Sequence, residues 1–112
     1  ILAGFSQGGA IALANGLRRE AGLAGIVALS TYLPMAPATA TEITAAGKRT
    51  PVFMGHGAQD PVVAQGLGQR SRDLMQQLGV AVDWHSYPMQ HSVCAEEVRD
   101  LGDWLTTRFS GG

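Results

Sequence analysis

Gly4-Phe5-Ser6-Gln7-Gly8 is a G-x-S-x-G pattern, the spacing that sets a serine on a sharp turn between a strand and a helix. A free serine hydroxyl is a weak nucleophile. It needs a base to take its proton and a carboxylate to hold that base in one tautomer. On folds that carry such elbows, the chain order is serine, then Asp or Glu, then His. Asp60 and His91 follow Ser6 in that order. The chemistry open to this set is acyl transfer, in which the serine oxygen attacks a carboxylic ester and water later releases the acid.

The surroundings of Ser6 fit the motif. A short apolar run, Ile1-Leu2-Ala3, leads in, and the small-residue stretch Gly9 to Ala14 leads out as a helix. A lone G-x-S-x-G also fits an ordinary Gly/Ser turn, so this context carries much of its meaning. The glycines flanking the serine are expected because a Cβ at either position would strike the neighbouring strand and helix.

Other residues compete for the same roles. Asp83 falls within a strand and Asp73 on a helix flank, away from the strand ends. His85 sits mid-strand, where a surface or internally satisfied histidine is expected. His56 ends a strand but precedes Asp60, which breaks the order, and a turn-stabilising role suits it better. Cys94 lies close to His91 and would allow a thiol enzyme, but it reads more simply as a small apolar residue opening a helix.

Strand-like and helix-like segments alternate along the chain, the pattern of an α/β fold with a mostly parallel sheet and flanking helices. Ala10, Ile11, Leu13, Ala14 and Leu17 form an apolar face at helical spacing, with Gly22 as the expected stop. Gly25 to Ser30 is apolar throughout, as a strand covered on both faces should be. Residues 34–49 read as a loop with a short helix near the mouth of any site. Pro51 to His56 is the next strand, and Gly57 to Pro61 a turn. A helical stripe then runs through Val63, Leu67, Leu74 and Leu78, capped by Gly79. Val80 to Tyr87 alternates like a strand exposed on one face. The last helix places Val98, Leu101, Leu105 and Phe109 on one side, with Glu96, Glu97, Arg99 and Asp100 off it. Ser6, Asp60 and His91 each lie just beyond a strand. In an open parallel sheet those ends share one edge, so the three loops can converge.

Composition narrows the classes. The chain has 112 residues, 46% hydrophobic and 15% charged, which describes a globular domain with a real core. Eight basic and nine acidic side chains leave a net charge of −1. No basic stripe appears, which argues against nucleic acid as a partner. No apolar run approaches the roughly twenty residues of a membrane span. Cys94 is the single cysteine, so no intrachain disulfide forms, in keeping with a reducing compartment. No His/Cys/Asp cluster has metal-ligand spacing, and no cofactor is implied. The chain shows no internal repeat and no linker, so residues 1–112 are expected to form a single unit.

Four segments, in order, resemble the phospholipase/carboxylesterase family of α/β-hydrolases, a branch that includes bacterial carboxylesterases and acyl-protein thioesterases. They are Gly4 to Gly9, Leu29-Ser30-Thr31-Tyr32-Leu33-Pro34, His56 to Val63, and Tyr87-Pro88-Met89-Gln90-His91. The resemblance implies Ser6 as nucleophile, Asp60 as orienting acid, His91 as base, and the N–H of Gln7 as an oxyanion-hole donor. It implies a small-molecule ester or thioester as substrate and the cytoplasm as compartment. Leu33 and Met35, just past a strand end, are candidates for the acyl pocket. Gln90 stands where the family often has Gly before its histidine, a change expected to alter the loop or narrow the site.

The family's members are about twice this length, so the chain corresponds to the C-terminal half of an incomplete α/β-hydrolase domain. The other half would supply early strands and a second oxyanion N–H; loss of one such donor typically costs about 10²–10³ in turnover. A half-sheet would also leave an unpaired edge beside the serine, which predicts poor stability or self-association of the isolated chain. The alternative to an enzyme is therefore an inactive hydrolase half that self-associates.

Overall fold

The structure, a computed structural model, describes residues 1–110. Four strands, β1 (Leu2–Phe5), β2 (Ile26–Leu29), β3 (Val52–Gly57) and β4 (Val82–Tyr87), form one sheet in the spatial order β1-β2-β3-β4. Every pairing is parallel, with Ala3 opposite Val27, Val27 opposite Phe53 and Phe53 opposite Asp83. Parallel neighbours need a crossover. The crossovers are α1 (Gln7–Gly16), the pair α2 (Ala36–Glu42) and α3 (Ala45–Arg49), and α4 (Gln65–Gln77). A final helix, α5 (Ala95–Ser110), follows β4.

Alternation along the strands divides the core in two. Ile26, Ala28, Val52 and Met54 face one way and pack with Leu13 and Leu17 of the α1 segment and Met75 of α4. Val27 and Phe53 face the other way and pack with Trp104, Leu101 and Leu105 of α5. The central strands β2 and β3 are therefore buried on both faces, as their unbroken apolar character predicts. Phe53 is fully buried, and truncating such a residue to Ala typically costs about 3–5 kcal/mol. Since all strands run one way, the turns after β1, β3 and β4 lie along a single edge.

Four helical details differ from the sequence reading. The helix after the elbow ends at Gly16, well before Gly22, and Ile11 is 61% exposed on its outer side. Residues 34–49 hold two short helices rather than one. The face of α4 buried most deeply is Gly68, Ser71 and Met75, displaced from the Leu67, Leu74 and Leu78 stripe. In α5 the inward positions include Glu97 and Trp104, while Val98 is 57% exposed. Phe109, expected on that stripe, has its side chain outside the described set. In each case close packing against the sheet selects the inward face, and small or charged residues can occupy it where a neighbour leaves room. Gly55 is such a place, because a Cβ there would overlap the Glu97 carboxylate.

The Gly79 cap forms as expected. Gly79 takes φ +93°, its N–H donates to the Gln76 carbonyl (3.1 Å), and the Val80 N–H reaches back to that of Met75 (3.0 Å). This paired arrangement closes the last carbonyls of α4 and turns the chain into β4.

Candidate active site

Ser6 occupies the turn between β1 and α1 with φ 57° and ψ −120°, a conformation that L-residues rarely adopt. The turn is tight because Gly4 lies directly beneath it, and a Cβ on Gly4 would overlap the Gly8 carbonyl group. Gly8 itself does not need to be glycine for space, since a Cβ there meets nothing within 4 Å. The second close approach belongs to Gly9, whose Cβ would lie 2.7 Å from Thr31 Cγ2. The steric demand expected of the two flanking glycines thus falls on Gly4 and Gly9.

Asp60 sits in the turn after β3 with its side chain buried. Oδ1 accepts the N–H groups of Val62 (2.8 Å) and Val63 (2.9 Å), while Oδ2 lies 2.7 Å from His91 Nδ1. Burial alone would raise the carboxyl. The bonds from His91, Val63 and Val62 outweigh it and hold Asp60 below the ordinary aspartate value. An ionised Asp60 only accepts, so His91 Nδ1 carries the hydrogen and Nε2 is left as an acceptor. Nε2 is 3.0 Å from Ser6 Oγ and accepts its O–H. The ring of Phe5, 4.8 Å from that of His91, packs beside the imidazole.

The loop carrying His91 rests on the turn carrying Asp60. The Ala58 N–H donates to Tyr87 O (2.8 Å) and the Gln59 N–H to Met89 O (3.0 Å). Gln90 is exposed and keeps a negative φ, so its side chain fits without left-handed strain, and His91 still reaches Ser6. His56 behaves as the sequence suggests: it is buried, and its Nε2–H donates to the Val63 carbonyl (2.7 Å), closing the loop around Asp60. His85 pairs with Asp83 (3.2 Å) and stacks on Phe53, away from Ser6. Cys94 is half-buried, and its carbonyl accepts the Val98 N–H at the start of α5.

Beside the elbow lies a groove of about 380 Å³, lined by Gln7, Ala10, Ile11, Tyr32, Pro34 and Met35. Of the two residues named for an acyl pocket, Met35 lines this groove and is 64% exposed. Leu33 does not line it. It is 5% exposed, packs into the core, and its N–H donates to Ser71 Oγ (2.8 Å). Alternation after β2 turns Leu33 inward and Tyr32 outward, so Tyr32 takes the groove position that the reading gave to Leu33. Two other clefts, of about 380 and 430 Å³, lie around Asp83, Trp104 and Arg108 near the start of β4 and include none of Ser6, Asp60 and His91. Among the described residues no group of His, Cys, Asp and Glu is arranged to hold a metal ion. No helix there is long and apolar enough to cross a membrane.

A parallel sheet with a serine elbow at a strand end, faced by Asp and His loops, defines the α/β-hydrolase class. The family profile described as Phospholipase/Carboxylesterase matches residues 1–109, and the chain belongs to that family. It is similar to acyl-protein thioesterase 1 of Neurospora crassa, with 45% identity over 112 residues covering 97% of this chain and 46% of that protein. The protein of the same name from Mycosarcoma maydis is 46% identical over 110 residues, covering 94% of this chain and 46% of the relative. Among solved structures, Arabidopsis thaliana SOBER1 superposes with a TM-score of 0.91 at 30% identity, covering 96% of this chain and 51% of that one. Zea mays acyl-protein thioesterase 2 gives 0.83 at 28% identity, with 95% and 54% covered. The chain spans about half the length of the curated relatives it matches.

Proposed function

We propose that the protein is a serine carboxylic-ester hydrolase acting on small-molecule esters or thioesters, with Ser6 as nucleophile, His91 as general base and Asp60 as the acid that orients it. The observation that carries this reading is the continuous relay from Asp60 through His91 to Ser6 Oγ, with both hydrogen bonds at normal length. His91 takes the hydroxyl proton as Ser6 attacks the carbonyl, then returns it to the leaving group. The acyl-enzyme is cleaved by water activated at the same nitrogen. Gln7 is the first residue of α1, so its N–H has no acceptor within the helix and is offered to the oxyanion. The groove walled by Tyr32 and Met35 would hold the acyl chain, its apolar lining matching a hydrocarbon.

The test is labelling of the full-length natural protein with a fluorophosphonate, read by intact mass. A single adduct that disappears in Ser6→Ala supports the reading, and a folded protein that takes no label overturns it.

The domain assignment is part of the same proposal: these residues form the C-terminal half of an α/β-hydrolase domain. The coverage of about half of each relative supports it, as does β1, which has a strand partner on one side only among the described residues. The free edge also supports self-association of the 112-residue chain taken alone, and a monodisperse monomer at high concentration would count against that. A cytoplasmic setting is supported by the unpaired Cys94 and the family resemblance.

A further inference from the structure

The dipeptide that follows β2 is strained, buried and tied to both sides of the relay. Ser30 takes φ 51°, one of three non-glycine residues with positive φ among those described, the others being Ser6 and Met35. Ser30 and Thr31 are both fully buried. The Thr31 hydroxyl donates to the carbonyl oxygen of Ser6 at 2.6 Å. That oxygen also accepts the Ala10 N–H (3.1 Å), so its orientation is fixed from two directions. Thr31 Cγ2 fits against Gly9, at the place a side chain would fill. The neighbouring Ser30 hydroxyl points to the carbonyl of Ser92, the residue after His91, at 3.4 Å. Its N–H anchors the pair to Gly55 of β3 (2.8 Å).

We infer that Ser30 and Thr31 are positioning residues that hold the Ser6 turn and the His91 loop at the spacing their hydrogen bond requires. This rests on the hydrolase reading of the site. The physical reason is the strain at Ser6. A backbone held at φ 57° relaxes unless its neighbours over-determine it, and rotation of the Ser6 carbonyl would swing Oγ away from His91. The Thr31 hydroxyl opposes that rotation. The Ser30 hydroxyl restrains the opposite partner, so one rigid turn references both loops to the sheet. Neither residue touches the reacting atoms.

Thr31→Val keeps the shape and removes the hydroxyl, whereas Thr31→Ser keeps the hydroxyl and removes the methyl. In the full-length protein, Thr31→Val is expected to slow fluorophosphonate labelling by about 3- to 10-fold, the worth of one hydrogen bond. It should also move the His91 Nε2 ¹⁵N resonance towards the value seen in Ser6→Ala, where the serine–histidine bond is absent. Thr31→Ser should restore both. A folded Thr31→Val protein with unchanged rate and resonance overturns the inference. Ser30→Ala tests the other tie and covers the case in which Thr31→Val does not fold: a folded Ser30→Ala protein with an unmoved His91 resonance overturns it as well. If the unsubstituted protein takes no label while Thr31→Val still moves His91, the hydrolase reading fails and the positioning role stands.

Discussion

Asp60 uses its two oxygens for different tasks, one closing its own turn on Val62 and Val63 and the other holding His91. Replacing it with Asn would keep the turn but leave His91 free to adopt the tautomer that cannot accept the serine proton. Asp60→Asn is expected to lower kcat by about 10³–10⁴ with a smaller change in KM, measured on a p-nitrophenyl ester. Its place beside His91 could be read from chain order and the strand-end rule, because both depend only on topology. Glu97 could not. It lies off the apolar stripe of its helix, yet it is buried, and neither carboxylate oxygen has a hydrogen-bond partner among the described residues. Burial pushes its carboxyl up to about 7, with His85 opposing and Asp100 adding to the rise. Tyr87 of β4 and Cys94 also belong to this cluster. A carboxyl raised above its unfolded value of 4.5 contributes stability that is present below that value and lost as pH rises through about 7. The Tm is therefore expected to fall between pH 5 and pH 8, and Glu97→Gln should flatten that slope. An unchanged slope in the variant would show that Glu97 does not carry it.

Strands were easier to locate than the inward faces of helices. The apolar runs Ile26 to Leu29 and Val52 to His56 can be read directly, since a strand buried on both faces has no polar alternative. On α5 the buried face is displaced by one residue, from Val98 to Glu97, because the space opposite Gly55 admits a carboxylate that hydropathy assigns to solvent. On α4 the contact is made by Gly68, whose bare Cα allows His56 and Trp84 to approach, a fit invisible to any periodicity of large apolar residues. Backbone demands differ just as sharply between neighbouring glycines. Gly8→Ala should leave stability unchanged or raise it by the helix preference of Ala, up to about 1 kcal/mol, read by chemical denaturation. Gly4→Ala should disrupt the elbow, seen as a large loss of Tm or of labelling at Ser6. Gly79→Ala, at φ +93°, is expected to cost about 1–2 kcal/mol in chemical denaturation.

Across the whole molecule, α5 packs against β3 and β4, and the face of β1 on that side, with Ala3 and Phe5, stays exposed. An open strand with apolar side chains is a template for another strand. If the 112-residue chain self-associates there, Ala3→Lys should hold it monomeric at concentrations where the parent sediments as larger species. Equal sedimentation of the two would remove β1 as the contact. The sheet could be anticipated from the alternation of elements, whereas the exposed face of β1 follows from where α5 packs, which periodicity does not give. The serine–histidine hydrogen bond joins positions 85 apart. A ribosome adding about 5–20 residues per second makes Ser6 roughly 4–17 s before His91. Throughout that interval the nascent chain carries Ser6 without its hydrogen-bond partner. If Ser6 and His91 act as proposed, that chemistry switches on only when the far end of the chain comes home.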